Sequence, residues 1–173
     1  MTMEEDGEDF LPKLVVFDLD FTLWPFWADT HVSPPFSKKS NGSVEDRSGY
    51  KIKLYDDTLD ILKFLKSKEI CLAAASRTED PAAAQELLRV LDIDKYFSYK
   101  EIYPGSKVTH FREFTQASGI PYSNMLFFDD EETNIDEISR LGVTCVLVRS
   151  GMKHTVLQNG LEQFAARHKQ KNR

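Results

Sequence analysis

Two carboxylate pairs are the residues of this chain best placed to do chemistry: Asp18 with Asp20, and Asp129 with Asp130. The first pair closes an apolar run, residues 14–17, whose length and β-branched content suit a buried strand. In an extended segment, residues i and i+2 point to one side. Asp18 and Asp20 therefore face one pocket while Leu19 faces the other way. Like charges held that close raise each other's pKa. A divalent cation would resolve the repulsion; so would a task in which one carboxyl is ionised and its neighbour carries a proton. Asp-x-Asp alone also fits an acidic turn, but the strand before it and Thr22–Leu23 after it are more restrictive.

Two further stretches, and the second pair itself, have polar residues at chemically suggestive places. Ser76-Arg77-Thr78 follows three alanines and precedes a helix start, where a hydroxyl and backbone N–H groups can cradle phosphate. Taken alone, a plain N-cap turn is the favoured reading; placed beside Asp18, the phosphate cradle is. Lys107 lies just inside a helix begun by Ser106, a slight misfit against the helix dipole that favours a functional reading. Asp129-Asp130 follows Phe127-Phe128, and hard divalent cations need only one or two carboxylates and a carbonyl. Glu131 and Glu132 read as a solvated helix start. His31, His110, His154 and His168 show no ligand spacing, no GxSxG run is present, and neither cysteine sits in a nucleophile-like turn. Serine, cysteine and zinc hydrolase chemistry is thereby set aside.

The elements that must position these residues alternate. Strands are predicted over 13–18, 70–75, 98–103, 125–128 and 143–148. Between them lie a helix capped by Asp56 or Asp57 with Leu59, Ile61, Leu62 and Leu65 inward, and another opened by Asp80-Pro81. A third, with Val108, Phe111 and Phe114 on one face, stops at Gly119; a fourth carries Ile135, Ile138 and Leu141 and ends at Gly142. A last helix covers 155–168. Such alternation calls for an α/β fold, a parallel sheet with helices on both faces. Ligands then bind beyond the C-terminal strand ends, where the three polar motifs should converge.

Composition bounds the rest. At 173 residues, 41% hydrophobic and 12% aromatic, the chain can bury one full core and is not disordered. A net charge of −6 argues against a nucleic-acid partner, so local positive charge must draw in any phosphate. Cys71 and Cys145 sit in apolar runs that read as central strands, and themselves read as core thiols of a reducing compartment. Neither an 18-residue apolar run nor a basic-then-apolar start is present, so no membrane partner is expected. The expectation is a cytoplasmic monomer, with the nucleus as a second location. Residues 1–10 read as a mobile acidic tail, 11–168 as one domain and 169–173 as a basic tail. Within that domain, 25–53 is a loop excursion with room for a short hairpin, too short for a cap domain with its own core.

In order, the runs FDLDFTLWPFW, AAASRT, EIYPGSK and FFDDE resemble the motifs of the haloacid dehalogenase (HAD) superfamily, and within it the eukaryotic magnesium-dependent phosphatases. The likeness extends from about residue 11 to about residue 164. It implies a Rossmann-like HAD fold with minimal or no cap and Mg2+ as cofactor. The ligands it implies are Asp18, the backbone carbonyl of Asp20, and Asp130, with Asp129 orienting a metal-bound water or acting as an alternate ligand. It assigns Ser76 to the phosphate, Leu19 and Arg77 to phosphate or substrate, and Lys107 to holding the nucleophilic Asp and phosphate together. Many superfamily members carry a further acid four or five residues after the late pair; here Thr133, Asn134 and Ile135 stand nearby.

Hydrolysis of a phosphate monoester by attack of Asp18 is the reaction so implied, with an aspartyl-phosphate intermediate. Asp20 would protonate the leaving oxygen and then activate water. The substrate would be a phosphorylated small molecule or a phosphoprotein, with sugar phosphates and phosphotyrosine both in view. Of the aromatics Trp24, Phe26 and Trp27, Trp27 is the candidate substrate contact, core packing being the alternative for all three. A receiver-like phospho-acceptor module with little turnover is the rival reading. Receiver domains, however, place the acidic pair first and the acceptor Asp mid-chain, the reverse of the order here.

Overall fold

The computed structural model describes residues 10–171. In the first strand, Val15 and Phe17 join one buried hydrophobic cluster and Leu14 and Val16 join another, as the two-residue period of a strand requires. A strand buried on both faces sits in the middle of a sheet.

Strand β1 (Leu14–Phe17) is followed by three two-residue strands, β2 (Ser37–Lys38), β3 (Val44–Glu45) and β4 (Lys51–Ile52). Then come α1 (Thr58–Ser67), β5 (Cys71–Ser76), α2 (Pro81–Val90), β6 (Tyr99–Ile102) and α3 (Lys107–Ser118). β7 (Met125–Asp129), α4 (Glu132–Ser139), β8 (Thr144–Leu147) and α5 (His154–Lys171) complete the order. The central sheet is parallel, in the order β6-β5-β1-β7-β8. Phe17 is in register with Ala74 of β5 and Phe128 of β7, so the residues that follow all three emerge at one edge. Buried residues of α1, α2 and α5 join the Val15–Phe17 cluster, and those of α3 and α4 the Leu14–Val16 cluster. This is the α/β architecture that the alternation predicts.

Local signals explain several boundaries. Asp80 accepts from Ala83 N ahead of Pro81, and Ser106 accepts from Val108 N at the start of α3. Gly119 ends α3 with φ 73°, a left-handed conformation that costs glycine little. Other expectations need correction. Thr58, Ile61, Leu62 and Leu65 form the buried face of α1, while Leu59 is 37% exposed, because the i, i+3, i+4, i+7 set starts one residue earlier. Asp57 holds the N-cap position of α1 without a side-chain cap bond; its Oδ2 instead accepts from His154 N at the start of α5. Cys145 is half-buried on the edge strand β8, not in a central strand. Helix α5 runs on through Lys171, since good helix formers fill 161–171 and no Gly or Pro interrupts them. Residues 169–171 of the expected basic tail are therefore helical. Residues 172–173, and 1–9 of the expected acidic tail, lie outside the described residues.

The excursion after β1 carries a three-stranded antiparallel sheet, β2-β3-β4, one strand more than a hairpin. Its apolar residues Phe36, Val44 and Ile52 belong to the same buried cluster as Val15 and Phe17. No helix among the described residues is long and apolar enough to cross a membrane.

Candidate active site

The ladder of β1 continues one bond past the strand, Asp18 N–H donating to Phe128 O at 3.0 Å. The chain then turns sharply. Phe21 takes φ 59°, unusual for a residue with a side chain. Thr22 N and Leu23 N both donate to Leu19 O, and Phe21 N donates to Trp24 O. The Leu19 side chain is wholly buried, so only its backbone could meet a phosphate. Asp18 and Asp20 instead line one cleft of about 330 Å³ with Trp27, Ser76, Arg77, Lys107 and Asp130. Asp129 lies beneath it, with no exposed surface.

Lys107, the first residue of α3, is 1% exposed and joins two carboxylates. Its Nζ donates to Asp18 Oδ1 at 2.8 Å and to Asp129 Oδ2 at 2.7 Å. Burial pulls the Lys107 pKa down, but Asp18 and Asp129 outweigh it and hold the ammonium above its ordinary value. Burial, then Asp18, holds the Asp129 carboxyl above its ordinary value, with Lys107 pulling the other way. Asp129 also accepts from Asn134 Nδ2 at 3.0 Å and Glu131 N at 2.9 Å. Its two oxygens thus accept from three donors. Thr22 Oγ1 donates to the second oxygen of Asp18 at 3.0 Å.

Asp20 is placed differently. Burial, with a smaller push from Asp18, raises its pKa to about 6 against the hydrogen bonds that lower it. Those bonds come from Trp24 Nε1 at 2.8 Å and Ala28 N at 3.0 Å, both to Oδ1. Asp130 is raised to about 9, first by burial, then by a hydrogen bond shared with Asp18 and by the charges around it. Oxygens of Asp18, Asp129 and Asp130 lie within 4.8 Å of one another, with Lys107 the cation buried among them. A hard divalent cation fits that excess of oxygen and negative charge. Asp18 and Asp130 line the cleft and Asp129 does not, so those two are the carboxylates that could hold it from the cleft side.

On the facing side, Ser76 ends β5 and its Oγ accepts from Thr78 N at 3.2 Å. Exposed Arg77 donates from Nη1 to Asn134 Oδ1 at 3.3 Å. The mouth is aromatic: Trp27 is 48% exposed, stacked on His31 at 5.0 Å and edge-on to Phe21 at 5.5 Å. Trp24 and Phe26, by contrast, stack on each other inside the core. Neither cysteine lines the cleft, and burial pushes the Cys145 thiol up to about 12.

Sequence reasoning missed four contributors. Asn134 stood out only as a departure from an expected acid, and Thr78 only as part of a turn. Trp24 was noticed for its ring and not for its N–H. His110 carries no local signal at all: it is fully buried, with Nε2 3.0 Å from both Ser76 O and Tyr103 O.

Residues 10–167 match the family model described as Acid Phosphatase. The chain is 54% identical over 155 residues to magnesium-dependent phosphatase 1 of Homo sapiens, covering 90% of this chain and 88% of that one. It is 44% identical over 144 residues to a HAD-like hydrolase superfamily protein of Schizosaccharomyces pombe, covering 77% and 83%. A crystal structure of a HAD-superfamily hydrolase from Ehrlichia chaffeensis superposes with TM-score 0.65 at 15% identity, over 89% of this chain and 98% of that one.

Proposed function

This chain belongs to the Acid Phosphatase family, alongside the magnesium-dependent phosphatases of the HAD superfamily, and on that premise we propose that it hydrolyses phosphate monoesters through an aspartyl-phosphate on Asp18. The observation that carries the reading is the division of labour between two carboxyls in one cleft. Asp18 takes donors from Lys107 and Thr22, as befits an ionised nucleophile. Asp20, raised to about 6, is protonated readily enough to act as an acid.

Asp18 attacks phosphorus, the ester P–O bond breaks, and the leaving oxygen takes the proton of Asp20. Asp20, now ionised, takes a proton from water, whose oxygen attacks the same phosphorus and frees Asp18 and inorganic phosphate. Lys107 offsets negative charge beside the phosphoryl group throughout. Ser76 Oγ already accepts from Thr78 N–H, which leaves its own proton to donate into the cleft. Arg77 offers a fork of donors to phosphate oxygens. Mg2+, held by Asp18, Asp130 and the carbonyl of Asp20, would supply the positive charge that lets one anion attack another. Asp129 serves by fixing Lys107 and Asn134.

The substrate is a phosphotyrosine-bearing protein or a sugar phosphate. The excursion shares the main core and so forms no lid domain of its own, and the cleft is reached past the exposed face of Trp27. A planar ring or the apolar face of a sugar would stack there. Release of inorganic phosphate from phosphotyrosine peptides and sugar phosphates, with and without Mg2+, tests the reading. Mg2+-dependent turnover supports it. A long-lived phospho-aspartate with almost no released phosphate would replace it with a receiver-like acceptor.

A further inference from the structure

Asn134 occupies the first turn of α4, is 2% exposed, and uses its carboxamide at both ends. Nδ2 donates to Asp129 Oδ2 at 3.0 Å and to Glu131 Oε2 at 3.3 Å. Oδ1 accepts from Arg77 Nη1 at 3.3 Å. Among the described residues, Asn134 is the side chain that holds Arg77. An amide is the short side chain with donors at one end and an acceptor at the other. An aspartate in its place would still accept from Arg77, but it would set a carboxylate against Asp129 at hydrogen-bond distance. An alanine would release Arg77 and deprive Asp129 of one donor.

Arg77 is exposed and long, so ordering it over a ligand costs rotamer freedom unless something has restricted it beforehand. One Nη1 bond does so and leaves its other N–H groups for the cleft. We propose that Asn134 is a positioning residue that sets the Arg77 guanidinium over the cleft and ties it to the Asp129–Lys107 pair beneath Asp18. The side chain at the place of the expected acid is then a bridge between phosphate-binding and charge-neutralising groups, and not a metal ligand. This rests on the reading of Arg77 as a phosphate contact.

A double-mutant cycle over Arg77→Ala and Asn134→Ala separates the two ideas. KM and kcat for an aryl phosphate at saturating Mg2+, and Ki for inorganic phosphate, are measured on all four proteins, with thermal melts as the control for folding. Asn134→Ala should raise KM and the phosphate Ki roughly 10-fold, with kcat changed less, and do neither in the Arg77→Ala background, since contacting residues couple. Asn134→Asp should keep KM near wild type and lower kcat, a split that a merely structural role would not give. If Asn134→Ala fails to fold, Asn134→Ser takes its place in the cycle. Equal losses in both backgrounds would overturn the proposal. An Arg77→Ala protein with unchanged KM and Ki would overturn the assignment of Arg77 itself, and the proposal with it.

Discussion

Trp24 Nε1 donates to Asp20 Oδ1 at 2.8 Å, the same oxygen that accepts from Ala28 N at 3.0 Å. Two donors on Oδ1 leave Oδ2 as the oxygen that carries the proton when Asp20 is neutral. The indole thus aims the acid as well as filling the core.

Asp20→Asn should slow both half-reactions, each by the roughly 10²–10⁴-fold typical of general acid–base catalysis. The loss should be smaller with an activated aryl phosphate, whose leaving group needs little protonation. Aspartyl-phosphate should then accumulate on Asp18, visible by rapid quench and mass spectrometry. Trp24→Phe removes a bond that lowers the Asp20 pKa, so the pH at which acid function fades should move upward. A mutant that clears its phospho-enzyme as fast as wild type would remove Asp20 from the mechanism.

Lys107→Met leaves Asp18 and Asp129 facing each other without their shared cation. Breaking a buried charge set by deleting one partner costs about 3–5 kcal/mol. Urea unfolding should show that loss, and Mg2+ should recover part of it by offsetting Asp18. Turnover should vanish. A shift in unfolding free energy below about 1 kcal/mol would mean that the trio contributes far less than its geometry suggests.

Metal-free protein should become less stable as pH rises. Asp130 and Asp20 have folded pKa values of about 9 and about 6, both above the ordinary 3.8. Groups raised on folding stabilise fully below the unfolded pKa, and that contribution is lost as pH climbs through the folded one. The window is therefore from about pH 4 to about pH 9. Mg2+ competes with the proton on Asp130, so its stabilising effect should grow across the same window and its binding should release a proton. Thermal melts with and without Mg2+, buffered at each pH, provide the check; a pH-independent metal effect would contradict the assigned carboxyls.

Gly160→Ala should destabilise the fold although alanine is the better helix former. A Cβ there would lie 2.6 Å from Phe128 Cζ. Overpacking costs about 1–3 kcal/mol, against about 1 kcal/mol gained in helix propensity. Phe128 stacks on Phe17 and its carbonyl takes the Asp18 N–H, so strain there reaches the cleft. Lowered melting temperature with reduced turnover is the expected pair of results; a raised melting temperature would show that α5 moves aside freely.

Much of this protein is legible along the chain because the signals are local. The apolar run before Asp18, the Asp80-Pro81 start, the Ser106 cap and the Gly119 stop each depend on a few neighbouring residues, and each lies where its pattern predicts. Strand–helix alternation then dictates a parallel sheet, and a parallel sheet brings Asp18, Ser76 and Asp129 to one edge. Which groups touch was decided elsewhere. Lys107 meets Asp18 across 89 positions and Arg77 meets Asn134 across 57, distances set by the strand order β5-β1-β7 and the helices beside it. Of Trp24, Phe26 and Trp27, all aromatic and within four positions, only Trp27 is left facing the cleft. The turn that sorts them bends at Phe21, a residue that carries no turn signal of its own and takes φ 59° under the packing around it. Period and composition are properties of a chain, but burial and charge partners belong to the surfaces it folds against.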